Sequence, residues 1–269
     1  MDKEWAKRVK LIEKELHSVE KQEKKLQKAA LNAKPAPLKT ALENKIPQKI
    51  YFGLESTFSK GFSLVFSQGR SLIEKTYKKE TIQNNHAIRD YAVQLKGGRK
   101  ELKQMHRSAK RADSLNVVVT TAEGIALGAL GIGMPDIVLC LSTLLRGVYE
   151  TALNYGFDYV SRTEQYIILK MMAAALTYGE GWLEENEEVD ELMLQDNLTV
   201  TEEALNTQLK QTASVFAMDM LLIKFIQGLP IVGILGGAAN PIYYNRVMHY
   251  VQLKYRKRYL LIQHRGFQE

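Results

Sequence analysis

Apolar residues return every three or four positions along most of this chain, and no run alternates singly between hairpin turns, so the pattern predicts an all-α protein. From residue 3 to about 33, Trp5, Val9, Ile12, Leu16, Val19, Leu26 and Ala30 step by fours and threes between Lys and Glu residues. Only Glu23 breaks that seam. A stripe this narrow suits a long helix lying across its own domain, or a short coiled coil that pairs two copies through residues 5 to 30. Pro35 and Pro37 end it.

The next segment, Leu54 to Tyr77, places Phe58, Phe62, Val65, Phe66, Ile73 and Tyr77 at helical spacing, while serines and glycines surround Lys60 and Arg70 on the other face. Bulky apolar residues opposite a small, weakly charged face are found in helices that lie in lipid interfaces, and a bundle core gives the same period. Phe58, Lys60, Phe62, Phe66, Arg70 and Lys75 are the candidate membrane or partner contacts. Tyr77 to Asp113 is basic and polar, and Gly97-Gly98 divides it into two solvated helices.

From Ser114 the chain turns apolar and glycine-rich, with Gly124, Gly128 and Gly131 preceding Asp136. Glu123 and Asp136 limit the uncharged run between them to twelve residues, too short for a spanning helix. Phe225 to Asn245 is uncharged for 21 residues, but Pro230, Pro241, Gln227 and Asn240 oppose a continuous span. Small residues such as Gly228, Gly233 and Gly237 let helix backbones approach closely, so a buried helical hairpin and a membrane-inserted one both fit. Ile137 to Tyr155, Glu164 to Tyr178 and Thr212 to Ile226 read as helices, and the acidic stretch Glu184 to Glu191 as an exposed loop or helix end. The expected architecture is a compact multi-helix bundle with two Gly-rich helical hairpins at its centre and a long N-terminal helix. Its parts are a charged helix over 1–34, a basic helical region over 35–113 and an apolar core over 114–269, with 48–113 folding together with that core.

Charge is unevenly distributed. Residues 1–113 hold 26 Lys and Arg against 13 Asp and Glu, a balance of +13, and residues 114–269 hold 11 against 17, a balance of −6, for a net +7. This polarity suits an anionic membrane surface or a solvated basic face. Nucleic acid is disfavoured, because no helix-turn-helix, zinc-finger or RNP signature accompanies the lysines and no aromatics interleave with them. The one cysteine, Cys140, lies in an apolar run, which excludes an internal disulfide and points to a reducing compartment. The first residues lack the apolar core of a signal peptide, so a cytoplasmic location is expected.

No catalytic pattern stands out. The glycines form no phosphate loop, the five histidines no helical zinc pair, and no serine elbow occurs, so no metal or cofactor is expected. Glu123, Asp136, Glu150, Asp158, Glu164 and Asp219 adjoin apolar residues and need partners if buried. Arg146 and Glu150 stand four apart and would pair on one helix face. A structural polar network of Arg146, Glu150, Tyr155, Asp158 and Glu164 is one reading, and an acid/base or metal site built from Glu150, Asp158, Glu164 and Asp219 is the other.

Two motifs carry a family resemblance. Leu144 to Glu164, LLRGVYETALNYGFDYVSRTE, resembles the EcsC family signature of an apolar helix, a Tyr-Gly-x-Asp turn and a downstream Glu, and Lys224 to Val247 is similar to its Pro-x-x-Gly, Gly-x-x-Asn and Arg-Val pattern. With the glycine-rich run before Asp136, the resemblance spans about residues 85 to 260. Pro241 departs from the pattern, which predicts a later start for the following helix. The family is named after a protein encoded beside the ATPase and membrane subunits of a bacterial ABC transporter. The resemblance thus implies a cytoplasmic, helical accessory protein of a membrane or transporter complex and supplies no catalytic residues. The expected function is non-enzymatic association with the inner membrane leaflet or transporter subunits. The alternatives are a carboxylate-based hydrolase and a soluble scaffold dimerising through the N-terminal helix.

Overall fold

The structure, a computed structural model, describes residues 3–33, 47–96, 98–111, 135–226 and 241–266. The glycine-rich elements, with Gly124, Gly128, Gly131, Gly228, Pro230, Gly233, Gly237 and Asn240, lie outside the described residues. Among the described residues there are ten α-helices, one π-helical turn and no strand. These are α1 (Lys3–Leu31), α2 (Gln48–Leu64), the π-turn Val65–Gly69, α3 (Arg70–Glu74), α4 (Lys79–Lys96), α5 (Arg99–Arg111) and α6 (Pro135–Asn154). Then follow α7 (Arg162–Leu176), α8 (Glu180–Leu194), α9 (Glu202–Ile226) and α10 (Pro241–Gly266).

Helices α6 and α10 form the centre, because both are buried along most of their length. α10 packs on α1, α6 and α7, while α6 also meets α2, α4 and α5. Ile137, Leu141, Leu145, Val148 and Ala152 of α6 are buried, as are Val247, Val251 and Tyr255 of α10. The two helices approach closely at Gly147, where a Cβ would lie 2.7 Å from the Tyr244 hydroxyl oxygen and 3.0 Å from Met248. Pro241 is the first residue of α10, so the helix does not start later than the motif. Proline suits this position, since the first helical N–H has no intrahelical partner to lose.

The seam of α1 packs on α10 and α8, with Ile12, Val19 and Ala30 buried. Its one polar break, Glu23, meets Lys254 and Lys257 of α10, and Asp190 of α8 meets the same two lysines. The surface that a dimerising coil would use is therefore the surface that docks α1 onto its own chain. The acidic stretch of α8 is a further correction, since it is helical throughout: Glu185 and Glu188 face Lys170, and Asp190 faces α10. Like charges are tolerated there because cations from neighbouring helices meet them.

Candidate functional site

The segment from Phe58 to Lys75 divides between core and surface. Phe58 and Phe62 are 0% exposed and set their rings edge-on to Phe216 of α9, with centroids 5.6 and 5.1 Å away. Phe66 is half-buried and stacks on Phe62. Lys60 and Lys75 are exposed and Arg70 is half-buried. The contact surface expected over Phe58 and Phe62 is thus corrected: their apolar period serves packing against α9 and α6. The π-turn then adds a residue to the helical register before α3, with Val65 and Ile73 both buried.

The carboxylates form separate ion pairs. Glu150 lies 2.9 Å from Arg146, each about one-seventh exposed, and Arg146 also donates to the Thr76 carbonyl. Burial raises the Glu150 pKa, although Arg146 pulls it down. Glu164 accepts from Arg258 at 2.7 and 3.0 Å and from the Tyr255 hydroxyl at 2.7 Å. Asp219 accepts from Arg246 at 3.0 Å and from the Tyr178 hydroxyl at 2.6 Å, while its Oδ2 has no partner among the described residues. Burial holds its carboxyl above the usual value, against the pull of Arg246 and Tyr178. Asp158 is exposed and accepts from its neighbour Val160 N at 3.1 Å, which makes it a turn residue. Among the described residues no hydrogen bond or ion pair joins one of these four acids to another, and no three His, Cys, Asp or Glu residues gather as metal ligands. The single polar network read from Arg146 through Glu164 is therefore several local ones.

The Tyr-Gly-x-Asp turn has a packing explanation. Tyr155 is buried with its hydroxyl 3.2 Å from His106 Nδ1. Gly156 has φ +83°, where side chains are strained, and a Cβ there would stand 2.2 Å from His86 Nε2. Phe157 carries the Arg258 guanidinium over its ring at 4.2 Å, and Ser161 caps α7 by accepting from Glu164 N. Cys140 is half-buried, and burial pushes its thiol up to about 12, away from the thiolate form that would react.

Two concavities lie among the described residues. A cleft of about 220 Å³ between α1, α7 and α10 is lined by Ala30, Thr177, Tyr178, Trp182, Arg246 and His249, and Asp219 already engages its Arg246 and Tyr178. The larger is a groove of about 660 Å³ between α4 and α5. Arg89 of α4 and Arg99, Lys100, Lys103, Arg107 and Arg111 of α5 line it, with Gln104 and Ser108. Its lining contains six cationic residues and no carboxylate. Helix α5 builds this face by burying Leu102, Met105 and Ala109 on its other side. Glu101, the acid of α5, is turned over Gly98 at the helix start, where a Cβ would meet its Oε2 at 1.9 Å. Sequence reading treated α5 as merely solvated; the signal it passed over is basic residues at 99, 100, 103, 107, 110 and 111 opposite an apolar stripe.

No helix of the described residues is long and apolar enough to cross a membrane. No curated protein and no solved structure matches the chain. The profile of the EcsC protein family matches residues 11–260, a span that takes in most of α1 as well as both motifs, and the chain belongs to that family.

Proposed function

We propose that this EcsC-family protein is a non-enzymatic helical protein that docks on an anionic membrane surface through the basic face of α5. The observation that carries this reading is the α4–α5 groove, whose lining holds six cations and no acid. Each well-placed Lys or Arg near an anionic leaflet contributes about 1 kcal/mol, within a Debye length of about 8 Å at physiological salt. Several on one face suffice for reversible binding. Docking on the leaflet would set the chain beside membrane-embedded subunits, as the transporter association implied by the family's name requires.

Vesicle flotation tests the proposal. The protein is expected to float with phosphatidylglycerol vesicles at low salt, to lose most binding at high salt, and to ignore phosphatidylcholine vesicles. Lys100→Glu with Lys103→Glu, two changes on an exposed or half-buried helix face, should abolish flotation without moving the melt. Equal flotation with neutral lipid, or none with anionic lipid, would sink the reading.

A further inference from the structure

The α4–α5 groove differs from an ordinary basic surface in one respect: half-buried Arg89 has one guanidinium nitrogen, Nη1, buried without a partner among the described residues. Arg89 Nη1 has no solvent contact and no hydrogen-bond partner among the described residues. Burial draws the pKa of this guanidinium below the usual arginine value. Its neighbour Asp90 does not serve it: Oδ1 accepts from Tyr259 at 2.8 Å and Gln263 at 2.9 Å, and Oδ2 accepts from Gln94 at 2.8 Å. Glu101 is turned toward Gly98. A buried polar hydrogen without an acceptor is unfavourable in a folded protein, and its presence in a cavity lined by like charges is the arrangement of an anion site.

We infer that this groove is a phosphate-binding pocket centred on Arg89, and that it takes a phosphomonoester or diphosphate group. This inference deepens the membrane reading of the same face by naming the headgroup. A guanidinium fork matches two phosphate oxygens at once. Arg99, Lys103, Arg107 and Arg111 surround it with charge, and Gln104 and Ser108 add neutral donors. The volume of about 660 Å³ falls within the range of small-ligand sites. A terminal phosphate carries close to two charges and three acceptor oxygens, whereas a phosphodiester headgroup carries one charge. The pocket therefore favours the terminal phosphate, and a diffuse basic face would respond only to total charge.

Two arms separate a lipid from a soluble source. In the first, vesicles containing phosphatidic acid are compared with phosphatidylglycerol vesicles at matched surface charge. The expected result is at least about tenfold tighter binding to phosphatidic acid, the scale of one lost charge-assisted contact. In the second, pyrophosphate and sulfate are compared by thermal shift at equal ionic strength, with pyrophosphate expected to stabilise more. Arg89→Gln should erase whichever preference is seen while weakening phosphatidylglycerol binding only by the loss of one surface cation, about fivefold. Lys210→Gln, the same charge loss at an exposed position of α9, should leave the preference intact. If Arg89→Gln does not fold, Arg107→Gln on the exposed wall reads the same preference. A phosphatidic acid preference assigns a lipid headgroup, and a pyrophosphate response without it assigns a soluble phosphate ester. Equal binding to both vesicles with no pyrophosphate response overturns the pocket and leaves the membrane reading standing. Failure to float with any vesicle removes the membrane reading, and the thermal shift alone then decides the pocket.

Discussion

His106 shows how far a single side chain can depart from its sequence neighbourhood. It lies within the most basic helix, yet its ring turns inward to the Tyr155 hydroxyl. Burial, with Arg256 and Lys110 nearby, lowers its pKa from 6.5 to about 4. The unfolded chain takes up this proton near pH 6.5 and the folded chain only near 4, so the stability it confers is complete above 6.5 and is lost as pH falls through that interval. The limit is about 3 kcal/mol. Urea unfolding across the interval should show the wild type losing stability and His106→Gln losing less; parallel curves would refute this. Gly156 gives a second residue-scale test. Its positive φ and the His86 ring in the space of a Cβ predict that Gly156→Ala lowers stability by roughly 1 to 3 kcal/mol, read as a lower urea midpoint.

Among the elements, α1 is the one whose docking depends on charge as well as on an apolar seam. Lys254 is 0% exposed and lies between Glu23 and Asp190. Burial opposes ionisation of Glu23, but Lys254 and Lys257 outweigh it and hold the carboxyl below its ordinary value of 4.5. Its contribution is present above pH 4.5 and is lost as pH falls through the depressed value. From the seam alone, Glu23→Leu repairs a broken stripe and should stabilise. From the structure it strips a buried lysine of one counter-ion, which costs about 3 kcal/mol. A raised melting temperature for Glu23→Leu would show that the seam dominates. Two helix starts carry side-chain caps that the sequence reading did not use: Ser161 precedes α7 with Glu164 three residues on, and Thr201 accepts from Ala204 N before α9. The sequence reading starts α9 ten residues late, at Thr212, because its first turns, Glu202 to Lys210, are mostly polar, with Ala204, Leu205 and Leu209 their few apolar residues.

At the scale of the whole molecule, charge polarity acquires a direction. Beside the basic groove, α4 presents Ile88, Tyr91 and Leu95, 67, 63 and 50% exposed, at the spacing of one helix face. Cations next to an exposed apolar stripe match the two halves of an interfacial site, headgroup and acyl boundary. Ile88→Ser with Leu95→Ser should leave the melt unchanged, since neither side chain is buried, and should weaken phosphatidylglycerol vesicle binding about tenfold or more, as burying one such side chain contributes about 1.5 to 3 kcal/mol. Unchanged binding of this variant at low salt would place the membrane contact elsewhere.

What the sequence determined by itself was the class of fold, because a 3.6-residue period is a local property that a helix must show wherever it packs. It also determined the family, through two motifs in order, and the excess of positive charge in the first part of the chain. Which side chains share a site was decided only by tertiary structure. Glu23 looks like a flaw until α10 supplies Lys254, and Phe58 and Phe62 look like a membrane face until Phe216 fills the space before them. Four carboxylates look like one cluster until each of Arg146, Arg258 and Arg246 claims its own and Asp158 turns to solvent. Arg89 is an ordinary basic residue in the chain, whereas in the fold one of its guanidinium nitrogens is buried with no partner among the described residues. Burial and pairing depend on residues far apart in sequence, and a local pattern does not contain them.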